Sequence, residues 1–205
     1  MATLVMDPQI EEELLADRRA RRADRFDEVW DGVYVMAPLA NNEHQELMIN
    51  LAAAIRAALE TFPDARVFPG INVSDRKKNW KSDYRCPDIA VVLPNSKAID
   101  CDTFYYGGPD FCTEIISDYD RSREKFEFYS RVGVRELLLI DRNPWRLELY
   151  RLQKDRLEPA GVSKLPTQEI LASQVLPLTF QLIARPSARP QIELVNPMTG
   201  QRWLA

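Results

Sequence analysis

Two periods run through this chain. A helical period is clearest after Asn41, where Leu47, Leu51, Ile55 and Leu59 form one apolar stripe. Asn41 is a helix-capping residue and Pro63 closes the segment soon after Thr61 and Phe62, which predicts a helix over about residues 41–60. A second helix is predicted from Asp120, as N-cap, to Gly133, as stop, with Lys125, Phe128, Tyr129 and Val132 at i, i+3, i+4 and i+7. Residues 9–25 are helix-prone, acidic first and basic after; Arg18, Arg19, Arg21 and Arg22 could touch phosphate, although a solvated helix face or partner contact is the stronger expectation. The other apolar runs are short, β-branched and bounded by Pro, Gly or Asp, as strands are. They fall at Asp88–Leu93, Phe111–Ser117, Glu136–Asp141, Trp145–Leu152 and Leu176–Ile183, with Arg66–Val73 interrupted at Pro69-Gly70. Asp31-Gly32 between Glu28–Trp30 and Val33–Met36 predicts a type I′ hairpin. Pro94–Gly108 reads as a loop, and the end from Ala184 as a tail partly ordered at Ile192–Val195.

Three charges break this pattern. Asp88 and Glu114 each lie within an apolar strand, and carboxylates are rarely buried unless paired or coordinated. Lys125 shares the face of its helix with Phe128, Tyr129 and Val132, so it is carried toward the sheet. Two strand carboxylates and one inward ammonium make a site for a divalent cation and a phosphate. The alternative is a buried Lys–Glu ion pair tying helix to sheet, which leaves Asp88 without a cause. His44 precedes the apolar stripe by one turn and points inward, as a hydrogen-bonded histidine at the core edge would. Just before Asp88, Arg76, Lys77, Lys78, Lys81 and Arg85 interleave with Trp80 and Tyr84, a composition suited to phosphate backbone and base stacking or simply to a solvated loop.

In order, Arg85-Cys-Pro-Asp88-Ile-Ala-Val-Val, Gly108-Pro-Asp-Phe-Cys-Thr-Glu114-Ile-Ile-Ser, and Lys125-Phe-Glu-Phe-Tyr129-Ser-Arg-Val-Gly133-Val-Arg-Glu136 through Asp141 resemble the Uma-type restriction endonucleases of the PD-(D/E)XK nuclease superfamily. The resemblance takes in Trp30-Asp31-Gly32 to His44 and Leu147–Leu152, covering about residues 25–183. It implies an α/β fold, a restriction-endonuclease-like mixed sheet flanked by helices. It divides the chain into an N-terminal helical extension (1–25), a nuclease-like domain (26–183) and a C-terminal tail (184–205). It also implies metal-dependent phosphodiester hydrolysis, most readily of DNA. Asp88 and Glu114 would hold Mg²⁺ or Mn²⁺, and Lys125 and His44 would complete the catalytic set. The chain departs from the superfamily at one point: the lysine two residues after the glutamate is Ile116 here, which implies a lysine relocated to the helix as Lys125. The rival expectation is a nuclease fold that has lost catalysis and serves as a binding or regulatory module.

Composition narrows these readings. At 205 residues with 45% hydrophobic and 28% charged residues, the expectation is one soluble domain with its own core. The apolar runs are too short to span a bilayer, and the start lacks a basic segment followed by an apolar one, so the chain is expected in the cytoplasm. Three cysteines without a Cys-x-x-Cys pair argue against a disulfide framework, and a single histidine argues against a His-based zinc site. A net charge of −4 argues against a protein that coats nucleic acid while permitting a local basic groove. Cutting both strands of a duplex needs two sites, which brings in a homodimer.

Overall fold

The computed structural model describes residues 8–37, 40–117, 121–186 and 188–205. Its centre is a mixed sheet of Arg66–Pro69, Ile89–Val92, Phe111–Ile115, Glu136–Arg142, Trp145–Gln153 and Arg156–Lys164, side by side in chain order. Phe111–Ile115 and Glu136–Arg142 run parallel; every other neighbouring pair in this sheet is antiparallel. Parallel neighbours need a crossover. Here it is a 3-10 turn, Ser122–Lys125, leading into a short helix, Phe126–Val132.

Strand alternation sends one set of side chains to each face. Ile89, Val91, Phe111, Ile115, Leu138 and Ile140 pack against Leu47, Leu51, Ile55 and Leu59 of the long helix, Asn42–Ala58, and the residue that follows it. Ala90, Cys112 and Leu137 face the other way, against Phe128 and Tyr129 of the short helix. Glu114 has the parity of Cys112 and therefore points at that helix. The long helix opens as expected, with the Asn41 side chain accepting the His44 backbone N–H at 2.9 Å. The expected second helix is shorter. Arg121, the residue before the 3-10 turn, makes no side-chain capping bond, and the Ser122 hydroxyl is spent on Glu114, so the segment begins as a 3-10 turn. Asp120, expected as its cap, lies outside the described residues. Gly133 ends the short helix with φ +89°, a left-handed conformation that suits a residue without Cβ.

The hairpin forms as expected, Glu28–Trp30 against Val33–Val35 with positive φ at Asp31 and Gly32. Residues 94–108 are more regular than a loop. Ile99–Asp100 pairs with Tyr105–Tyr106, and these join Val73–Ser74, Tyr84–Arg85 and the hairpin in a second sheet. N-terminal to it, the helix Pro8–Ala20 is pinned through Arg18, whose Nε donates to the buried Asp27 carboxylate at 2.6 Å. No helix among the described residues is long and apolar enough to cross a membrane.

Residues beyond 184 depart most from expectation. Thr179–Arg185, Ala188–Val195 and Arg202–Leu204 form a sheet with Leu171–Ala172. Phe180, Leu182, Ile192 and Leu194, all fully buried, join the same core as the long helix. Leu194→Ala should therefore cost about 2–5 kcal/mol in urea unfolding, the range for a leucine truncated in a packed core. A loss under about 0.5 kcal/mol, the range of surface changes, would mean the last strands lie loosely on the body.

Candidate functional site

The antiparallel register pairs Ile89 with Thr113 and Ala90 with Cys112. Extended by one residue, it sets Asp88 across from Glu114 at the sheet's end. Each Asp88 oxygen takes one donor: Oδ2 the backbone N–H of Ile115 at 2.7 Å, and Oδ1 a contact with His44 Nε2 at 2.9 Å. The second nitrogen of His44 meets Ser117 Oγ at 3.2 Å. Arg142 fastens this corner. It donates to Ile116 O at 3.2 Å, to Asn41 Oδ1 at 3.1 Å and to Glu43 Oε2 at 2.9 Å, tying the strand end to the first turn of the long helix.

Glu114 is almost completely buried. Lys125 Nζ lies 3.0 and 3.1 Å from its two oxygens, Ser122 Oγ donates to Oε2 at 3.2 Å, and the Tyr129 hydroxyl donates to Oε1. The same ammonium is 2.9 Å from Oε1 of Glu28, a buried hairpin residue that also accepts from Cys86 N at 2.7 Å and Trp30 Nε1 at 2.6 Å. Lys125 thus bridges two acids from different sheets.

The charges in this cluster are set by burial. Desolvation raises the Glu114 pKa to about 8; Lys125 pulls it down, while Asp88 and Glu28 push it up. Burial also acts against the Lys125 charge, but Glu114 and Glu28 outweigh it and hold its pKa well above the usual lysine value. At neutral pH, with no cation bound, burial favours the protonated form of Glu114 beside the Lys125 ammonium. The Tyr129 and Ser122 hydroxyls can each turn to accept that proton, so protonation leaves no oxygen stranded.

The structure brings Asp88, Glu114, Lys125 and His44 into one cluster. Further contributors escape a reading of the sequence. Glu28 sits in a three-residue strand with no period to expose it as an oddity, although Glu-x-Trp-Asp-Gly puts a carboxylate beside an apolar strand. Ser117 and Arg142 lie at the ends of their strand runs, where polar residues are ordinary. Tyr129 is legible only as a packing residue. Two of the basic residues before Asp88 turn inward: Arg85 is buried against Asp83 at 2.8 Å, and Arg76 spans Asp75 and Asp83, both at 3.0 Å.

Among the described residues no three His, Cys, Asp or Glu side chains converge as a ready metal cage. The available donors are the oxygens of Asp88 and Glu114. Two hard carboxylates suit Mg²⁺, which binds through one or two carboxylates and keeps several waters.

A family model described as Uma2, putative restriction endonuclease, matches residues 11–185. The fold is similar to the crystal structure of a putative nuclease belonging to DUF820 from Anabaena variabilis, with a TM-score of 0.58 at 18% identity, over 72% of this chain and 80% of that one. No curated protein matches the chain.

The buried Glu114 proton has a consequence for stability without metal. Its folded pKa of about 8 lies above the unfolded carboxyl value of 4.5, so the stability it contributes is complete below 4.5 and is lost as pH rises through 8. In EDTA, wild type should lose on the order of 1 kcal/mol or more between pH 6 and pH 9 relative to Glu114→Gln, which cannot ionise. Urea unfolding of both proteins at the two pH values checks this; parallel losses would place the titrating group elsewhere.

Proposed function

We propose that this chain, which belongs to the Uma2 family of putative restriction endonucleases, is a metal-dependent endonuclease that hydrolyses phosphodiester bonds, in DNA. The observation that carries the reading is the Lys125 ammonium held between two buried acids, within 3.1 Å of both Glu114 oxygens, with Asp88 across the strand pair. An ion pair built for stability alone needs neither a second acid on the lysine nor a partly exposed aspartate opposite.

Asp88 and Glu114 are the residues that would hold Mg²⁺ or Mn²⁺. When bound, the cation polarises the phosphoryl oxygens and acidifies a water. Glu114 would serve as a ligand in its carboxylate form, and Glu28, 2.9 Å from Lys125 Nζ, would stay beside the ammonium. The Lys125 ammonium, freed in part from Glu114, offsets charge developing on the phosphate and orients the attacking water. His44 holds Asp88 Oδ1 through Nε2, and Ile115 N–H holds Oδ2, so the aspartate keeps one orientation with a free lone pair on each oxygen. The setting is the cytoplasm, and cutting both strands of a duplex would take two copies of the chain.

A fold that binds without cutting is the second reading. It draws on Ile116, which occupies the strand position where the superfamily carries its lysine. Supercoiled plasmid with Mn²⁺ separates the two. Wild type should nick it, Asp88→Ala should not, and Mg²⁺ should raise the melting temperature of wild type alone, since a ligand that binds the native state stabilises it. A metal shift without nicking favours the silent module. Equal nicking by both proteins removes the assignment of Asp88.

A further inference from the structure

We infer that Lys77, Lys78 and Lys81 form a grip for the phosphate backbone of a nucleic-acid duplex, separate from the carboxylate cluster; the nature of the partner rests on the endonuclease reading. These three lysines are exposed and make no ion pair among the described residues. The acids around them are already used. Asp75 pairs with Arg76 and Arg131, and Asp83 pairs with Arg76, Arg85 and Arg131. Asp31 faces Arg76 at 3.5 Å. On a chain whose net charge is −4, this loop therefore presents three positive charges without local compensation.

The loop is also built to display them. Asn79 takes a left-handed conformation, φ +56°, and opens the 3-10 turn Trp80–Ser82, which the Ser82 hydroxyl closes onto Asn79 O at 2.8 Å. The Trp80 ring stacks on Phe104 with centroids 4.7 Å apart and meets the Tyr84 ring edge-on at 5.3 Å. Lys77 Nζ lies 5.1 Å over the Tyr106 ring and Lys81 Nζ 5.9 Å over Trp80. Ammonium groups resting on rings lose less freedom on binding than free side chains do.

The same stacking selects the partner. A single strand is held by bases stacked on open aromatic faces, whereas here Trp80 is stacked on Phe104 and meets Tyr84 edge-on, and Lys77 lies over Tyr106. What remains is point charge, which suits the dense phosphates of a duplex and carries no sequence preference. The grip is coupled to the proposed chemistry through the hairpin. Ser82 O accepts the N–H of Gly32 at 2.8 Å, and Asp83 Oδ1 that of Asp31 at 3.1 Å; the strand leading into that turn carries Glu28.

The test is duplex binding by fluorescence anisotropy in EDTA across a NaCl series. It compares wild type, the triple variant Lys77→Ala/Lys78→Ala/Lys81→Ala, and the matching triple Arg variant. The Ala variant should melt like wild type but show a slope of log K against log salt shallower by about 2–3, at ~0.9 for each phosphate it no longer neutralises. The Arg variant should keep the wild-type slope. An unchanged slope in the Ala variant, no duplex binding by wild type at low salt, or tighter binding of a single strand of equal length overturns the inference. Plasmid nicking by wild type scores the enzyme separately. A shallower slope without nicking keeps the grip and removes the nuclease, and nicking with an unchanged slope does the reverse.

Discussion

One buried ammonium makes demands on three parts of the molecule. Lys125 Nζ sits within 3.1 Å of acids from the central sheet and the hairpin, where an uncompensated charge would cost several kcal/mol. Its position holds only if the helix Phe126–Val132 docks on the sheet, if the hairpin closes over it, and if the Glu28 side chain is held beside it. Each condition has its own support. Arg123, two residues before the lysine, clasps Glu148 in the strand Trp145–Gln153 at 2.8 and 3.0 Å. The hairpin is held through Asp31 N to Asp83 and Gly32 N to Ser82. Cys86 N and Trp30 Nε1 donate to Glu28 and fix its side chain against the lysine.

A lysine beside a helix reaches the acid by a different route from a lysine on the strand. On the strand it would share rigid alternation with Glu114, and only the sheet would need to form. From the start of the short helix its placement depends on how helix and sheet pack. This explains why Phe128 and Tyr129, the residues that seat the helix, are buried completely or nearly so, and why Tyr129 also turns its hydroxyl to Glu114. Packing and chemistry are carried by the same turn of helix.

Asp88, Glu114, Lys125 and His44 are legible in the sequence because each interrupts or joins an apolar period, and a charge inside a period marks itself. The central strands and the long helix are legible for the same reason. Glu28 is not, since a three-residue strand has no period to break. The strands at 99–100 and 105–106 escape on the same ground, being only two residues each. The last strands read as a tail because Pro186 and Pro190 punctuate them, although Ile192 and Leu194 alternate with polar neighbours and are buried. In the basic stretch, composition does not tell Arg76 and Arg85, which turn to buried acids, from the lysines that face outward. That division depends on how each side chain folds back on Asp75 and Asp83, which no periodicity encodes.

The most direct measurement is single-turnover cleavage by four proteins: wild type, Lys125→Ala, Ile116→Lys, and the two changes combined, each checked by melting. Ile116 has the parity of Glu114 and is only half-buried, so an amine there can reach the same carboxylate. Lys125→Ala should retain metal binding and cut about 10²-fold more slowly, the scale of one lost electrostatic donor. Adding Ile116→Lys should restore part of that rate. Cleavage by Lys125→Ala at the wild-type rate would contradict the account and leave Lys125 as a structural cation.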